Sequence, residues 1–142
     1  MLYLDTSVVV SLLLNDVHSA AVRRWFERRR RDAFAISDWT RVEFASAVAR
    51  LERMGDLDET QAEAARAVFR NEIESTMDVL RLGREDFGLA VDLLAVRGTG
   101  LRAGDALHLA IIHNAGLPGF ETLDKELARA AKSLRIAARV LT

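Results

Sequence analysis

Leu2-Tyr3-Leu4-Asp5-Thr6-Ser7-Val8-Val9-Val10-Ser11-Leu12-Leu13-Leu14 decides how the rest of the chain is read. Three apolar residues stop abruptly at a carboxylate, and an apolar run from Ser7 to Leu14 follows that suits a buried helix. A strand over 2–4 followed directly by a helix implies a strand with a parallel neighbour and a crossover. In open parallel sheets, ligands bind beyond the carboxyl ends of the strands, so an acid at such an end is a candidate functional group. Asp is also a favoured helix N-cap, and Asp5 admits that plainer reading. No Glu or Gln stands three residues later to complete a capping box, because Val8 holds that position.

Working outward, the same alternation recurs. His18 to Arg31 has Val22, Trp25, Phe26 and Arg29 at helical spacing, and Phe34-Ala35-Ile36 reads as a second strand. Asp38 or Thr40 can cap a helix to about Met54, with Phe44, Val48 and Leu51 as its core face and Gly55 as its stop. Asp58 opens a helix to about Met77, and 78–82 reads as a strand. Helices are expected over Asp86–Arg97 and Gly104–Ala115, a strand over 119–123, a helix over Asp124–Ser133 and a last strand over 135–141. Five strands separated by helices imply an α/β sandwich with a mainly parallel sheet and right-handed crossovers.

The chain has 142 residues, half of them apolar, and neither linker, repeat nor low-complexity tract divides it, so one domain over 1–142 is expected. Without cysteine it has no disulfide framework, thiolate metal site or Cys nucleophile. No basic stretch precedes an apolar one at the N-terminus, and no apolar run reaches membrane-spanning length, so neither signal peptide nor transmembrane helix is expected and the cytoplasm is the default location. The net charge of −1 hides an uneven distribution: Ala20 to Arg31 sums to +5 and Glu52 to Asp78 to −5.

Three further acids join Asp5. Asp124 ends the expected strand Gly119-Phe120-Glu121-Thr122-Leu123 as Asp5 ends its own, and Asp105 starts a helix in Leu101-Arg102-Ala103-Gly104-Asp105-Ala106-Leu107-His108. Each can be read as a helix cap. Glu43 is harder to dismiss, because Trp39, Thr40, Ser46 and Ala47 fill its i±3 and i±4 positions and none is a cation. It needs a tertiary partner, either an arginine from elsewhere or a metal ion. Four carboxylates at one mouth repel by about 4 kcal/mol per close pair at an effective dielectric near 20, so their assembly calls for a cation. An all-oxygen donor set suits Mg²⁺ or Mn²⁺, and three histidines without cysteine make zinc a poor match.

Leu4-Asp5-Thr6-Ser7, Ser37 with Thr40 and Glu43, Leu101-Arg102-Ala103-Gly104-Asp105-Ala106-Leu107-His108-Leu109-Ala110 and Thr122-Leu123-Asp124 occur in one order along nearly the whole chain. In this the sequence resembles the PIN-domain ribonucleases, and specifically the VapC-type toxins of type II toxin–antitoxin pairs. The resemblance implies a PIN-like three-layer α/β/α sandwich and a metal-dependent endoribonuclease. Asp5 and Asp105 would be the main ligands of one or two Mg²⁺ or Mn²⁺ ions, with Glu43 and Asp124 acting directly or through water. A metal-bound hydroxide would attack the RNA phosphodiester in line, leaving 5′-phosphate and 3′-hydroxyl ends. Thr6, Ser7 and Thr122 would be hydroxyls that orient carboxylates or waters. A homodimer and a VapB-like antitoxin, forming a hetero-oligomer with the toxin, are implied as partners. The sequence departs from the pattern at Gly104, where the family more often has Ala, and at Glu121, a fifth acid that would repel substrate or meet a partner.

Weaker signals remain. Arg24, Arg28 and Arg31 fall on one face of the expected second helix and could contact RNA phosphates, or form a solvated face. Arg102 is placed for substrate binding or charge balance. His18, His108 and His113 read as packing or surface residues, and Trp25 and Trp39 as core or groove-lining ones. A haloacid-dehalogenase-like phosphatase would need a second Asp where Ser7 stands, and a response-regulator receiver an acidic pair near the first strand. The rival of a different class is a PIN-like module without catalysis that binds RNA or a protein, which predicts erosion of an acidic set that is intact here.

Overall fold

The computed structural model describes residues 1–141, and its core is a five-stranded, all-parallel sheet in the order β3-β2-β1-β4-β5. The strands are β1 (Leu2–Leu4), β2 (Phe34–Ser37), β3 (Asp78–Leu80), β4 (Phe120–Thr122) and β5 (Ala138–Val140). The helices are α1 (Thr6–Leu13), α2 (Ser19–Glu27), α3 (Asp38–Arg53), α4 (Glu59–Val68), α5 (Arg84–Ala95), α6 (Ala103–Asn114) and α7 (Lys125–Ser133). The chain runs outward from β1 through β2 to β3, then returns across β1 to lay down β4 and β5. The order therefore reverses between β1 and β4, where Tyr3 is in register with Phe120 and Leu4 with Glu121.

Side-chain alternation assigns the two faces. Leu4, Phe34 and Ile36 join Val8, Val9, Val22, Phe44, Val48, Ala62 and Phe69 in a core beneath α1 to α4. Tyr3, Ala35 and Phe120 face the other way, against Leu109, Ile112, Leu127 and Ala131 of α6 and α7. Helix α5 packs on α6 through Ala90, Ala106 and Ala110. Asp86 ties their ends together by accepting from Gly83 N at 2.8 Å and from Asn114 Nδ2 at 2.9 Å. Among the described residues no helix is long and apolar enough to cross a membrane.

Several boundaries differ from expectation for identifiable reasons. Ser37, not Asp38 or Thr40, caps α3; its hydroxyl accepts from Thr40 N while Thr40 Oγ1 accepts from Ser37 N. Asp105 is not a cap: α6 begins at Ala103, and Asp105 stands in its first turn accepting from Arg102 N at 3.3 Å. Helix α2 ends at Glu27 with Arg28 as its C-cap, the Arg28 N–H still bonded to Arg24 O, while Arg31 lies in the turn that follows. The helix begun by Asp58 stops at Val68 and widens into a π-type turn over Phe69–Glu74, which brings Phe69 onto Phe44 with ring centroids 4.4 Å apart.

Candidate active site

Asp5 and Asp124 leave the adjacent ends of β1 and β4, at the point where the strand order reverses. Asp5 caps α1, but it is held by more than a cap requires. Its Oδ1 accepts from Ser7 N at 3.0 Å, and its Oδ2 accepts from Ser7 Oγ at 2.9 Å and from Thr122 Oγ1 of the neighbouring strand. The same two hydroxyls receive the backbone N–H groups of Leu123 at 3.0 Å and Asp124 at 2.9 Å. One network thus pins β1, α1 and the end of β4 together. Asp124 caps α7 with Oδ1, taking the N–H groups of Glu126 and Leu127.

Asp105 approaches these two from α6. Burial is the first reason its carboxyl is pushed above the usual carboxylate range; the negative charges of Asp124 and Asp5 add to it, against the opposing Arg102 N–H and His108. Among the described residues no Arg or Lys forms an ion pair with Asp5, Asp105 or Asp124. Asp105 therefore lies within electrostatic reach of Asp5 and Asp124, with no Arg or Lys paired to any of the three among the described residues.

Glu43 reaches the mouth from α3, and its protein partner is a histidine and not the arginine that the sequence allowed. Its Oε1 accepts from Thr6 Oγ1 at 2.7 Å and lies 2.5 Å from His108 Nε2, whose ring is 2% exposed. Burial acts to raise the Glu43 carboxyl, but the His108 hydrogen bond and charge, with the Thr6 bond, bring it below the usual range. Among the described residues no donor reaches Oε2. That oxygen lies 2.9 Å from where a Cβ on Gly104 would stand, and Trp39 Nε1 lies 3.2 Å from the same point. Gly104 is therefore a glycine for steric reasons, since Trp39 and Glu43 occupy the space that Ala would need. Gly104→Ala is expected to shift the Glu43 carboxylate and lower activity about tenfold, the steric cost to the fold being offset by roughly 1 kcal/mol of helix propensity. Trp39→Leu in the same chain should restore part of the loss. Steady-state cleavage rates and melting curves of the three variants check this.

The remaining candidates separate. Glu121 is not part of the mouth: on β4 it faces opposite to Thr122, is buried, and lies 3.6 Å from Arg139 NH1. Burial raises its carboxyl, and Arg139 and Arg29 oppose the shift. Arg102 is exposed at the start of α6, joined to Asp105 by its backbone only. Arg24 and Arg28 line a small surface depression with Trp25 and Leu141, while Arg29 stacks over Trp25 and pairs with Asp32 at 3.1 Å. His108 and Tyr3 were not singled out as site residues. The signal for His108 was the absence of any helical partner for Glu43, but nothing local says which distant residue supplies it.

An open, all-oxygen site suits a hard divalent ion, which often binds through one or two carboxylates and completes its shell with water. Among the described residues no group of three or more His, Asp or Glu side chains stands close enough together to hold a metal ion by side chains alone. Glu43 Oε2 is free of protein donors, as is the second oxygen of Asp124, and the uncompensated charge around Asp105 favours a cation there. The donor set thus fits an ion held partly through water.

Comparison with known proteins bears on the fold and the family. Residues 2–133 match the model of the PIN domain. Ribonuclease VapC46 of Mycobacterium tuberculosis is 34% identical over 138 residues, covering 96% of this chain and 94% of its own length. Among solved structures, FitAcB from Neisseria gonorrhoeae superposes with a TM-score of 0.77 at 19% identity, covering 97% of this chain and 96% of that one. The DNA-bound VapBC from Salmonella typhimurium superposes with a TM-score of 0.72 at 21% identity, over the whole of both chains. A parallel sheet whose switch point gathers acids on a frame of hydroxyls, matched over nearly its full length by these proteins, places the chain in the PIN-domain family, among the VapC ribonucleases.

Proposed function

We propose that this chain is a divalent-metal-dependent endoribonuclease and the toxin of a VapBC-type pair, acting in the cytoplasm. The observation that carries this reading is the group Asp5, Asp105 and Asp124, which has no pairing arginine or lysine among the described residues, with Asp105 raised by burial and then by the charges of Asp124 and Asp5. A fold does not assemble such repulsion for stability. Asp5 and Asp105 would hold Mg²⁺ or Mn²⁺, with Glu43 and Asp124 contributing directly or through water. When bound, the ion supplies charge neutralisation for the phosphate and lowers the pKa of water.

The side chains do the positioning. Ser7 and Thr122 fix the Asp5 carboxylate from two elements, so its direction is set before substrate arrives. Glu43 Oε2 and the second oxygen of Asp124 would orient a water for in-line displacement at phosphorus, which would give 5′-phosphate and 3′-hydroxyl ends. Arg24, Arg28, Arg31 and Arg102 are exposed cations available to RNA phosphates. A VapB-like antitoxin is the partner that the VapBC relatives suggest. Phe87, Val91 and Leu94 form an exposed apolar stripe at i, i+4 and i+7 on α5, which supports a homodimer.

The test is cleavage of a structured RNA with Mg²⁺, with EDTA, and by Asp5→Asn. Products should form only in the first case and carry 5′-phosphates. Cleavage that survives both chelation and substitution would overturn the mechanism.

A further inference from the structure

We propose that His108 is a positioning residue which holds Glu43 in one orientation, and that Tyr3 in turn fixes the His108 ring. The inference rests on the nuclease reading above and deepens it. The terminal torsion of a glutamate is soft, so an unrestrained Glu43 would present its oxygens over a wide arc. Here Thr6 Oγ1 and His108 Nε2 both converge on Oε1, at 2.7 and 2.5 Å. The torsion is removed, and Oε2 is left on the side of Gly104 in the first turn of α6.

His108 can do this only if its own ring is fixed. Its Nδ1 lies 2.7 Å from the hydroxyl of Tyr3, which donates to Ser37 Oγ at 2.9 Å. The Tyr3 ring meets the imidazole edge to face at a centroid distance of 5.7 Å. Tyr3 and Ser37 are fully buried and His108 nearly so. The line Ser37, Tyr3, His108, Glu43 passes through β2, β1, α6 and α3, and it ends at a carboxylate whose second oxygen has no donor among the described residues. Stability does not require it, because apolar residues of similar volume would fill the same space without the cost of desolvating four polar groups. A connected polar chain supplies direction, which an apolar core cannot.

The test uses Tyr3→Phe and His108→Gln in the full-length protein. Tyr3→Phe removes only the hydroxyl; Gln can still donate to Glu43 but cannot also meet Tyr3. The readouts are the melting temperature, the affinity for Mn²⁺ alone by titration calorimetry, and kcat and KM for RNA. Partners behind metal ligands are typically worth 10- to 100-fold in metal affinity or activity. Tyr3→Phe is expected to weaken Mn²⁺ about threefold to tenfold, and His108→Gln about tenfold or more, with the loss of activity in kcat and KM little changed. If His108→Gln fails to fold, Tyr3→Phe decides alone. Wild-type affinity for Mn²⁺ and unchanged kcat in Tyr3→Phe overturn the inference while leaving the nuclease reading standing. A wild-type protein that binds no Mn²⁺ overturns both.

Discussion

Asp105→Asn should lower RNA cleavage by about 100- to 1000-fold, the kinetic equivalent of about 3–4 kcal/mol, without lowering the melting temperature of the metal-free protein. The two halves of this expectation have one origin. Asp105 is half-buried and faces Asp5 and Asp124, so its ionised form is held against both desolvation and like charge. Asn keeps an oxygen for the Arg102 N–H and removes the charge. The sign follows from linkage: a carboxyl whose pKa is raised on folding binds more protons in the native state, so it lowers stability as pH rises through and above the ordinary carboxylate range. In metal-free buffer the wild-type urea midpoint should therefore lose ground to that of Asp105→Asn between acid and neutral pH. Glu121 is also raised and contributes the same trend to both proteins, so the difference between them isolates Asp105. Adding Mg²⁺ should then stabilise the wild type more than the variant. A variant that is both active and markedly less stable would make Asp105 a structural first-turn residue only.

Phe44→Ala has the largest expected effect on stability, about 3–5 kcal/mol, read as a lower urea midpoint at unchanged slope. Phe44 is 2% exposed, stacks on Phe69 and joins α3 to the π-type turn after α4. Truncation removes the ring and leaves a cavity bounded by a helix that also holds Glu43 one residue earlier. Val42→Ala, at a side chain more than half exposed on the same helix, is the control and should stay within about 0.5 kcal/mol. A cost below about 1.5 kcal/mol for Phe44→Ala would mean that α3 is held mainly by other contacts.

Much of the architecture is legible because strands and helices are encoded locally. Leu2-Tyr3-Leu4 stops at Asp5, Phe34-Ala35-Ile36 precedes a capped helix, and the Phe44, Val48, Leu51 spacing marks the buried side of α3. Where boundaries differ from the local spacing, a neighbouring residue competes for the same backbone groups. Ser37 out-competed Asp38 as a cap because it could form a reciprocal pair with Thr40, and the arginine run after Glu27 left α2 for turns. The side of the sheet that Glu121 faces follows from strand alternation once Phe120–Thr122 is known to be the strand and Thr122 to meet Asp5.

By itself the sequence determined the alternation of strands and helices, the carboxylates that end β1 and β4, and the need of Glu43 for a partner outside its own helix. It could do so because each depends on neighbours within about one helical turn or one strand. Only the tertiary structure decided that the strand order reverses between β1 and β4, that Asp105 comes within reach of the charges of Asp5 and Asp124, and that the protein partner of Glu43 is His108, 65 residues away. These depend on which strand lies beside which and which helix covers it, a choice made by packing two apolar faces and not by any local spacing.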